Sequence, residues 1–310
     1  MRVGLLFSGQ GAQKTGMGQD LYDHNETYRQ VIDQASDTLE MDLPKLYFDK
    51  AESAHLNATS FTQPAIVAMS LALYEAVKPD LHQIVAGIGL SLGEYSALAA
   101  SGFLTETTAL QLIKRRGKLM QEASDLKPSK MVAIMSTPID LIQAACESGR
   151  QKGVVAIANV NTPKQVVIGG EVAAVDLAVD FLSNHDVSRM VPLQVSGAFH
   201  TPLMAPAQTG LNQALQQVNW QKGSFPVISN TTNEPFKTTS LTTTLTNQLV
   251  STTRFADAIQ QLAGQIDAVI ELGPGKTLMS FARKTIKGIN YYHIDDQKTL
   301  DETLTALRSE

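Results

Sequence analysis

Short apolar runs recur along the chain and alternate with longer stretches in which apolar residues follow helical spacing. Runs of about five apolar residues, bounded by glycine or polar residues, are typical of strands buried on both faces. Strands that alternate with helices predict an α/β fold with a mostly parallel sheet between layers of helices. The runs that predict this sheet are residues 3–7, 84–88, 225–229 and 268–272, with one more ending at His293.

Helical spacing dominates the stretches between these runs. Residues 21–81 follow it for most of their length, and Pro64 is predicted to start a helix because proline favours the first helical position. Further helices are predicted at residues 106–123, 204–218 and 248–263, the last with Gln248 near its start.

A segment with a different order of elements interrupts this pattern. Residues 131–135 predict a strand, 139–148 a helix, 154–158 and 165–168 two strands, 172–182 a helix and 188–193 a strand. The order β-α-β-β-α-β is that of a ferredoxin-like unit. We therefore expect a ferredoxin-like small subdomain at residues 127–196, inserted into a large α/β subdomain formed by residues 1–126 and 197–310.

Composition excludes several classes of protein. Hydrophobic residues make up 43% of the 310 and charged residues 18%, as in ordinary globular proteins. The net charge of -5 gives no electrostatic reason to expect nucleic acid or an anionic membrane surface as a partner. One cysteine, Cys146, excludes an internal disulfide. No apolar run approaches a membrane span and no signal-peptide pattern is present, so we expect a cytoplasmic protein. We also expect it to be a monomer.

The motif Gly89-Leu90-Ser91-Leu92-Gly93-Glu94 lies between a predicted strand and a predicted helix. This order is that of a nucleophile elbow, in which two glycines permit a tight turn and the serine hydroxyl projects at its tip. The helix start and the Leu92 N–H would then face an oxyanion formed beside Ser91. Ser91 is therefore the candidate nucleophile.

A serine hydroxyl needs a general base, which is usually histidine. His24, His55, His82 and His185 lie among polar residues. His200 lies in a loop of small residues just after a predicted strand, where α/β folds place catalytic groups. His200 is the candidate base, with a structural role as the alternative.

Other parts of the site stay open at this level. Gly9-Gln10-Gly11 follows an early strand, where the second oxyanion donor usually lies. No acid stands out to orient the histidine, since Glu271 precedes a turn and Asp257 lies within a predicted helix; a backbone carbonyl would serve instead. The pair Arg115-Arg116 is either a solvated helix face or contains a buried arginine that binds a carboxylate.

With these residues the chain resembles the malonyl-CoA:acyl-carrier-protein transacylases, a family that includes the acyltransferase domains of fatty-acid and polyketide synthases. The resemblance covers essentially the whole chain and implies a hydrolase-like α/β core with a ferredoxin-like insertion, in agreement with the predicted elements. Several motifs in one order are more specific than any single motif. They are Gly9-Gln10-Gly11-Ala12-Gln13, Thr62-Gln63-Pro64-Ala65, residues 89–98, Arg116-Gly117-Lys118-Leu119-Met120-Gln121, Asn159-Val160-Asn161, Phe199-His200, Gln248 and Glu271-Leu272-Gly273-Pro274-Gly275.

The resemblance implies transfer of a malonyl group from malonyl-CoA to the phosphopantetheine thiol of acyl carrier protein, for fatty-acid chain elongation. Ser91 would carry the malonyl group, His200 would act as the base, and the backbone carbonyl of Gln248 would orient His200. No cofactor or metal of the protein's own is implied, because the substrates carry CoA and phosphopantetheine.

The resemblance also assigns the rest of the site. The N–H groups of Gln10 and Leu92 would form the oxyanion hole, and Arg116 would pair with the malonyl carboxylate. The residues expected to line or support the site are Gln63, Asn159, Asn161 and Phe199.

Two residues depart from the common pattern of the family. Leu90 stands where many members have histidine, and Ser8 stands where proline is common. Leu90 removes a polar contact but leaves the Ser91–His200 pair intact, and the change at Ser8 affects loop stiffness. Phe199 matches the malonyl-selective signature, in which a bulky side chain leaves little room for an α-methyl group.

Two other kinds of function are alternatives to transfer. A serine esterase or lipase would share the elbow but would have an acidic third residue and no need for Arg116. A non-catalytic module that docks carrier proteins would not need both Ser91 and His200. A malonyl transferase could also serve a polyketide pathway or malonate decarboxylation.

Overall fold

The computed structural model describes residues 1–309, which form two sheets with helices packed on them. The strands are β1 (Arg2–Phe7), β2 (Gln83–Gly89), β3 (Ser129–Met135), β4 (Val155–Thr162), β5 (Gln165–Glu171), β6 (Met190–Pro192), β7 (Val227–Ile228), β8 (Ala268–Leu272) and β9 (Asn290–Ile294). The α-helices are α1 (Gln19–His24), α2 (Glu26–Leu39), α3 (Leu43–Phe48), α4 (Ser53–Asn57), α5 (Thr59–Val77), α6 (Gly93–Ser101), α7 (Glu106–Asp125), α8 (Ile139–Gly149), α9 (Val172–Ser183), α10 (Ala205–Gln216), α11 (Leu241–Gln248), α12 (Phe255–Gln260), α13 (Thr277–Thr285) and α14 (Gln297–Arg308). Across residues 1–309, none of these helices combines the length and the apolar composition needed to cross a bilayer.

The larger sheet has the strand order β7-β2-β1-β8-β9. Each neighbouring pair is parallel, which confirms the predicted α/β class. The middle strand β1 is buried from Val3 to Phe7, as expected for a parallel strand covered by helices on both faces. β7 is shorter than the predicted strand at residues 225–229. The carboxyl ends of β1 and β2 lead into the loops that contain Gln10 and Ser91.

The smaller sheet is antiparallel and has the order β4-β5-β3-β6. The chain passes through it as β3-α8-β4-β5-α9-β6, which confirms the predicted ferredoxin-like order. Its apolar face and helices α8 and α9 form a separate core that includes Ile142, Cys146, Ile168 and Val175. The division of the chain at residues 127 and 196 stays a prediction.

Helix α5 lies at the centre of the larger core, and most of its 19 residues are buried. The prediction that Pro64 starts this helix is wrong, because the helix begins at Thr59. Proline cannot donate to the carbonyl of Ser60 and so removes one helical hydrogen bond. Burial of apolar residues around the whole helix outweighs that loss.

The single helix predicted at residues 248–263 is also wrong. Gln248 is the last residue of α11, and α12 begins only at Phe255. Between them Thr253 pairs with β4: its N–H donates to the carbonyl of Ala158 at 2.9 Å, and its carbonyl accepts from the N–H of Val160 at 2.8 Å. These bonds to the smaller sheet replace helical ones, and hydrophobic periodicity carries no information about them.

We expect Gly93→Ala to destabilise the fold by about 3 kcal/mol, because a Cβ there would overpack a backbone contact. It would lie 2.2 Å from the Phe7 carbonyl oxygen. Gly102→Ala is the matched control: its Cβ would have no atom within 4 Å, but its φ is 86°. The control should cost about 1 kcal/mol from backbone strain alone. Urea unfolding measures both, and equal losses would contradict the contact argument.

Candidate active site

The turn between β2 and α6 has the geometry that its two glycines predict. A Cβ on Gly89 would lie 1.9 Å from the carbonyl carbon of Gly93, so glycine is required where the strand meets the helix. Ser91 lies between them with a φ of 54°, a left-handed conformation that costs about 1–2 kcal/mol. The turn thus holds strain at Ser91, whose side chain lines a cavity that is also lined by Arg116 and His200.

His200 lies against this hydroxyl. Its Nε2 is 2.8 Å from Ser91 Oγ, and its Nδ1 is 2.9 Å from the backbone carbonyl oxygen of Gln248. Because a carbonyl can only accept, Nδ1 carries the hydrogen, and Nε2 is left to accept from the Ser91 hydroxyl. The backbone carbonyl thus fixes the tautomer in which His200 can remove the serine proton.

Burial sets the protonation state of the His200 imidazole. It lowers the pKa of His200 to about 4, and the nearby Arg116 guanidinium lowers it in the same direction. The Gln248 and Ser251 backbone groups oppose this shift. At neutral pH the imidazole is therefore uncharged and able to accept a proton.

Arg116 is buried, whereas its neighbour Arg115 is exposed. The pair therefore contains a buried arginine and is not simply a solvated helix face. Its Nη1 donates to Gln63 Oε1 at 2.7 Å, and its Nη2 donates to Gln248 Oε1 and to Ser91 Oγ, each at 3.0 Å. These partners are neutral oxygens, and Nε has no partner among residues 1–309. Burial lowers the pKa of Arg116, yet an arginine stays charged in proteins. The site thus holds a buried cation whose hydrogen-bond partners carry no charge.

A cavity of about 120 Å³ brings the predicted site residues together. A neighbouring cavity of about 300 Å³ shares part of its wall and continues past the loop at Gly9 and the start of α13. Among the histidines of residues 1–309, His200 is the one that lines the smaller cavity. Gln248 lies directly behind its wall, in contact with the residues described above. The predicted residues that line it are Gln10, Gln63, Ser91, Leu92, Arg116, Asn159, Asn161, Phe199 and His200.

The two predicted oxyanion donors, Gln10 and Leu92, both line the cavity. Within residues 1–309, neither backbone N–H donates to another protein group. The Gln10 side chain donates to Thr59 Oγ1 at 3.0 Å and accepts from Gln63 Nε2 at 3.4 Å, which ties its loop to α5. Two N–H groups are therefore available near Ser91, and their role as oxyanion donors stays a prediction.

The remaining predicted residues lie on the smaller sheet and on the loop before His200. Asn159 Nδ2 donates to Thr253 Oγ1 at 2.6 Å, and Asn161 Nδ2 donates to Gln165 Oε1 at 3.3 Å. Asn161 Oδ1 has no partner within the described part of the chain. Phe199 is buried beside His200 and lines the cavity there.

Neither acid considered for orienting the base performs that role. Glu271 accepts from Ser8 Oγ at 3.0 Å and from the Met279 N–H at 2.8 Å, and Asp257 accepts from Asn233 on the surface. Sequence reasoning also missed the buried carboxyl of Glu94, which accepts from the Gln248 side chain. Its place in the elbow motif was visible, but nothing in the sequence indicated a contact with a residue so distant along the chain.

The pKa of His200 leads to a prediction about stability. Between pH 6.5 and about 4 the unfolded chain binds a proton at this histidine, while the folded chain does not. The free energy of unfolding should therefore decrease as the pH is lowered through this window. The wild type should lose about 3 kcal/mol more of it than His200→Gln. Chemical denaturation of both proteins at a series of pH values measures the difference. Parallel profiles would contradict the burial argument.

Comparison with known proteins agrees with this geometry. The profile of the acyl transferase domain family matches residues 5–301. A malonyl CoA-acyl carrier protein transacylase of Bacillus subtilis (strain 168) is 32% identical over 312 residues, which cover 100% of this chain and 98% of that protein. A solved structure of MCAT from Streptococcus pneumoniae has a TM-score of 0.93 and 41% identity, covering 98% of this chain and 100% of that chain. The transacylase of a complex described as PlMCAT:AntF, a type II PKS acyl-carrier protein with its malonyl-transacylase, has a TM-score of 0.94 and 32% identity over 100% of both chains. The chain therefore belongs to the acyl transferase domain family, among its malonyl-CoA:acyl-carrier-protein transacylases.

Proposed function

We propose that this chain transfers the malonyl group of malonyl-CoA to the phosphopantetheine thiol of acyl carrier protein, in two steps through a malonyl ester of Ser91. One observation carries the proposal: a buried guanidinium without a charged hydrogen-bond partner, that of Arg116, lies 3.0 Å from a serine hydroxyl paired with a neutral histidine. The names of the relatives, malonyl CoA-acyl carrier protein transacylases, support the same substrates.

In the first step the Ser91 hydroxyl attacks the thioester carbonyl of malonyl-CoA. His200 Nε2 accepts the serine proton as the new C–O bond forms. The carbonyl oxygen becomes an oxyanion, which the N–H groups of Gln10 and Leu92 stabilise. The C–S bond then breaks, and the departing thiolate takes the proton from Nε2. The carbonyl of Gln248 stabilises the transient imidazolium through Nδ1–H.

In the second step the thiol of the carrier protein's phosphopantetheine enters the same site. His200 Nε2 accepts the thiol proton while sulfur attacks the malonyl ester. A second tetrahedral intermediate forms and collapses, the bond to Ser91 Oγ breaks, and the proton returns to the serine. The enzyme is regenerated and the thioester is carried by the acceptor protein.

Arg116 selects the acyl group. Its guanidinium lies next to Ser91 Oγ, within reach of the carboxylate of a malonyl group attached there. Fork-shaped donors suit a carboxylate, and an ion pair forms without displacing Gln63 from the other side of the guanidinium. An acetyl group would leave the cation without this partner. Phe199 adds about 2 kcal/mol of discrimination against an α-methyl group.

The proposal extends to the setting of the reaction. The chain supplies malonyl groups for fatty-acid chain elongation in the cytoplasm, and it uses no cofactor of its own because both thiol carriers arrive with the substrates. Gln63, Asn159 and Asn161 support or line the site, and residues 127–196 act as the small subdomain that closes one side of it.

Incubation with radiolabelled malonyl-CoA tests the proposal. We expect a stable labelled enzyme whose label moves to a pantetheine thiol when one is added. Discharge to water at the same rate would instead indicate a serine hydrolase. No labelling by either malonyl-CoA or a fluorophosphonate would indicate a docking module without activity.

Ser91→Ala should abolish labelling altogether, since no other hydroxyl lies in hydrogen-bond contact with His200 Nε2 within residues 1–309. The measurement is scintillation counting of protein separated from malonyl-CoA. Labelling that persists in this variant would place the acyl group on another residue.

Arg116→Ala should lower kcat/KM for malonyl-CoA by about 100-fold, the effect of removing one partner of a buried charge pair. Transfer from acetyl-CoA should stay unchanged or rise, because that substrate does not use the cation. Arg115→Ala is the matched control, since this neighbouring arginine is exposed. Equal losses with both substrates would contradict the role of Arg116 as a carboxylate receptor.

A further inference from the structure

Glu94 is a buried carboxyl that the reaction described above does not use. It lies in the first turn of α6, three residues after Ser91, and its side chain has no exposed surface. An isolated buried charge is costly, so its contacts indicate what keeps it there. No role follows from its position in the elbow motif alone.

Both oxygens of the Glu94 carboxyl accept hydrogen bonds from groups that can only donate. The backbone N–H of Asn230 donates to Oε1 at 2.5 Å, and Nε2 of the Gln248 side chain donates to Oε2. Two donors require two acceptor oxygens, which a carboxyl supplies and an amide does not, and an ionised carboxylate accepts more strongly than a protonated one. The surrounding hydrogen bonds therefore favour the charged form of Glu94, whereas its burial favours the neutral form.

The same contacts fix the orientation of the Gln248 amide. Its Nε2 faces Glu94 and also donates to the Ser91 carbonyl oxygen at 3.1 Å, and its Oε1 accepts from Arg116 Nη2 at 3.0 Å. A half-turn of the amide would direct its oxygen at a carboxylate and its NH₂ group at a guanidinium. The contacts with the guanidinium and with the Ser91 carbonyl oxygen would then become repulsive, so the amide is held in one orientation.

The geometry thus places a neutral amide between a buried carboxyl and a buried guanidinium. Glu94 acts on Arg116 through Gln248 rather than by a direct ion pair, so the guanidinium keeps donors available for another carboxylate. We propose that Glu94 is a positioning residue, which holds the Gln248 side chain and through it the Arg116 guanidinium in the orientation that receives the malonyl carboxylate. This inference rests on the proposed function.

The charges near Glu94 are consistent with this role. The Asn230 N–H, the Gln248 amide and the Arg116 guanidinium each lower the pKa of Glu94, but burial outweighs them and raises this pKa to about 8. In the other direction, Glu94 contributes to raising the pKa of Arg116, against its burial. Each group therefore favours the charged form of the other.

The test compares Glu94→Gln with Gln248→Met. In Glu94→Gln, the side-chain oxygen pairs with the Asn230 N–H, and the new NH₂ group opposes Gln248 Nε2, so the Gln248 amide must move. In Gln248→Met the side-chain link to Arg116 is lost, but the backbone carbonyl that orients His200 remains. The matched control is Glu122→Gln, the same change at an exposed glutamate on α7.

The measurement is kcat/KM for malonyl-CoA and for acetyl-CoA, with each protein normalised to the sites that a fluorophosphonate labels. We expect Glu94→Gln to lower the malonyl-to-acetyl ratio by about tenfold while acetyl transfer stays within about twofold. Gln248→Met should lower the malonyl-to-acetyl ratio by a similar factor, and the double variant should show no further decrease in this ratio. Glu122→Gln should leave the ratio unchanged.

Equal losses of malonyl and acetyl transfer in Glu94→Gln, or effects that multiply in the double variant, would overturn the inference. If Glu94→Gln fails to fold, an unchanged ratio in Gln248→Met would overturn it and a tenfold decrease would support it. A wild-type protein that transfers no malonyl group would refute the proposed function itself. An active wild type with an unaffected ratio in the folded variants refutes the positioning role alone.

Discussion

The active site depends on a positive charge that is buried without a direct counter-ion. Arg116 is almost completely shielded from solvent, and its hydrogen bonds go to the side-chain oxygens of Gln63, Gln248 and Ser91. The ring of Tyr95 lies 5.6 Å from its guanidinium carbon and offers a further weak attraction. Each partner offsets part of the desolvation cost, and none neutralises the charge. The proposed malonyl carboxylate would supply the counter-ion that these partners do not.

The same charge acts on the base. The burial of the imidazole and the guanidinium both lower the pKa of His200, which keeps the imidazole uncharged at neutral pH. Gln248 links the two groups, because its backbone carbonyl orients His200 and its side chain holds Arg116. In the proposed reaction, one residue at the end of α11 would link proton transfer by His200 with recognition of the acyl group by Arg116. The backbone of Gln248 contacts His200 and its side chain contacts Arg116, so a side-chain substitution affects the second contact first.

Much of this arrangement could be predicted from the sequence. Apolar runs and glycine spacing predicted the two sheets and the elbow, because these features depend on local burial and backbone freedom. The helix predicted across residues 248–263 failed, since Thr253 pairs with β4 through contacts between distant parts of the chain. The helix start predicted at Pro64 was wrong for a related reason. Burial of α5 outweighed the preference of proline for the first helical position. Whether Arg115 or Arg116 turns inward likewise depends on packing that spacing alone does not fix.

The position of β1 in the larger sheet bears on how the chain reaches this state. β1 pairs on one side with β2 and on the other with β8, and the Arg2–Asp267 ion pair joins segments 265 residues apart. Contacts of such separation form slowly, because a long loop must close before they contribute. During synthesis the edge of β1 that pairs with β8 therefore stays unpaired until more than 260 further residues have left the ribosome. An unpaired apolar strand is prone to aggregate. We therefore expect folding of this chain to benefit from chaperones during translation.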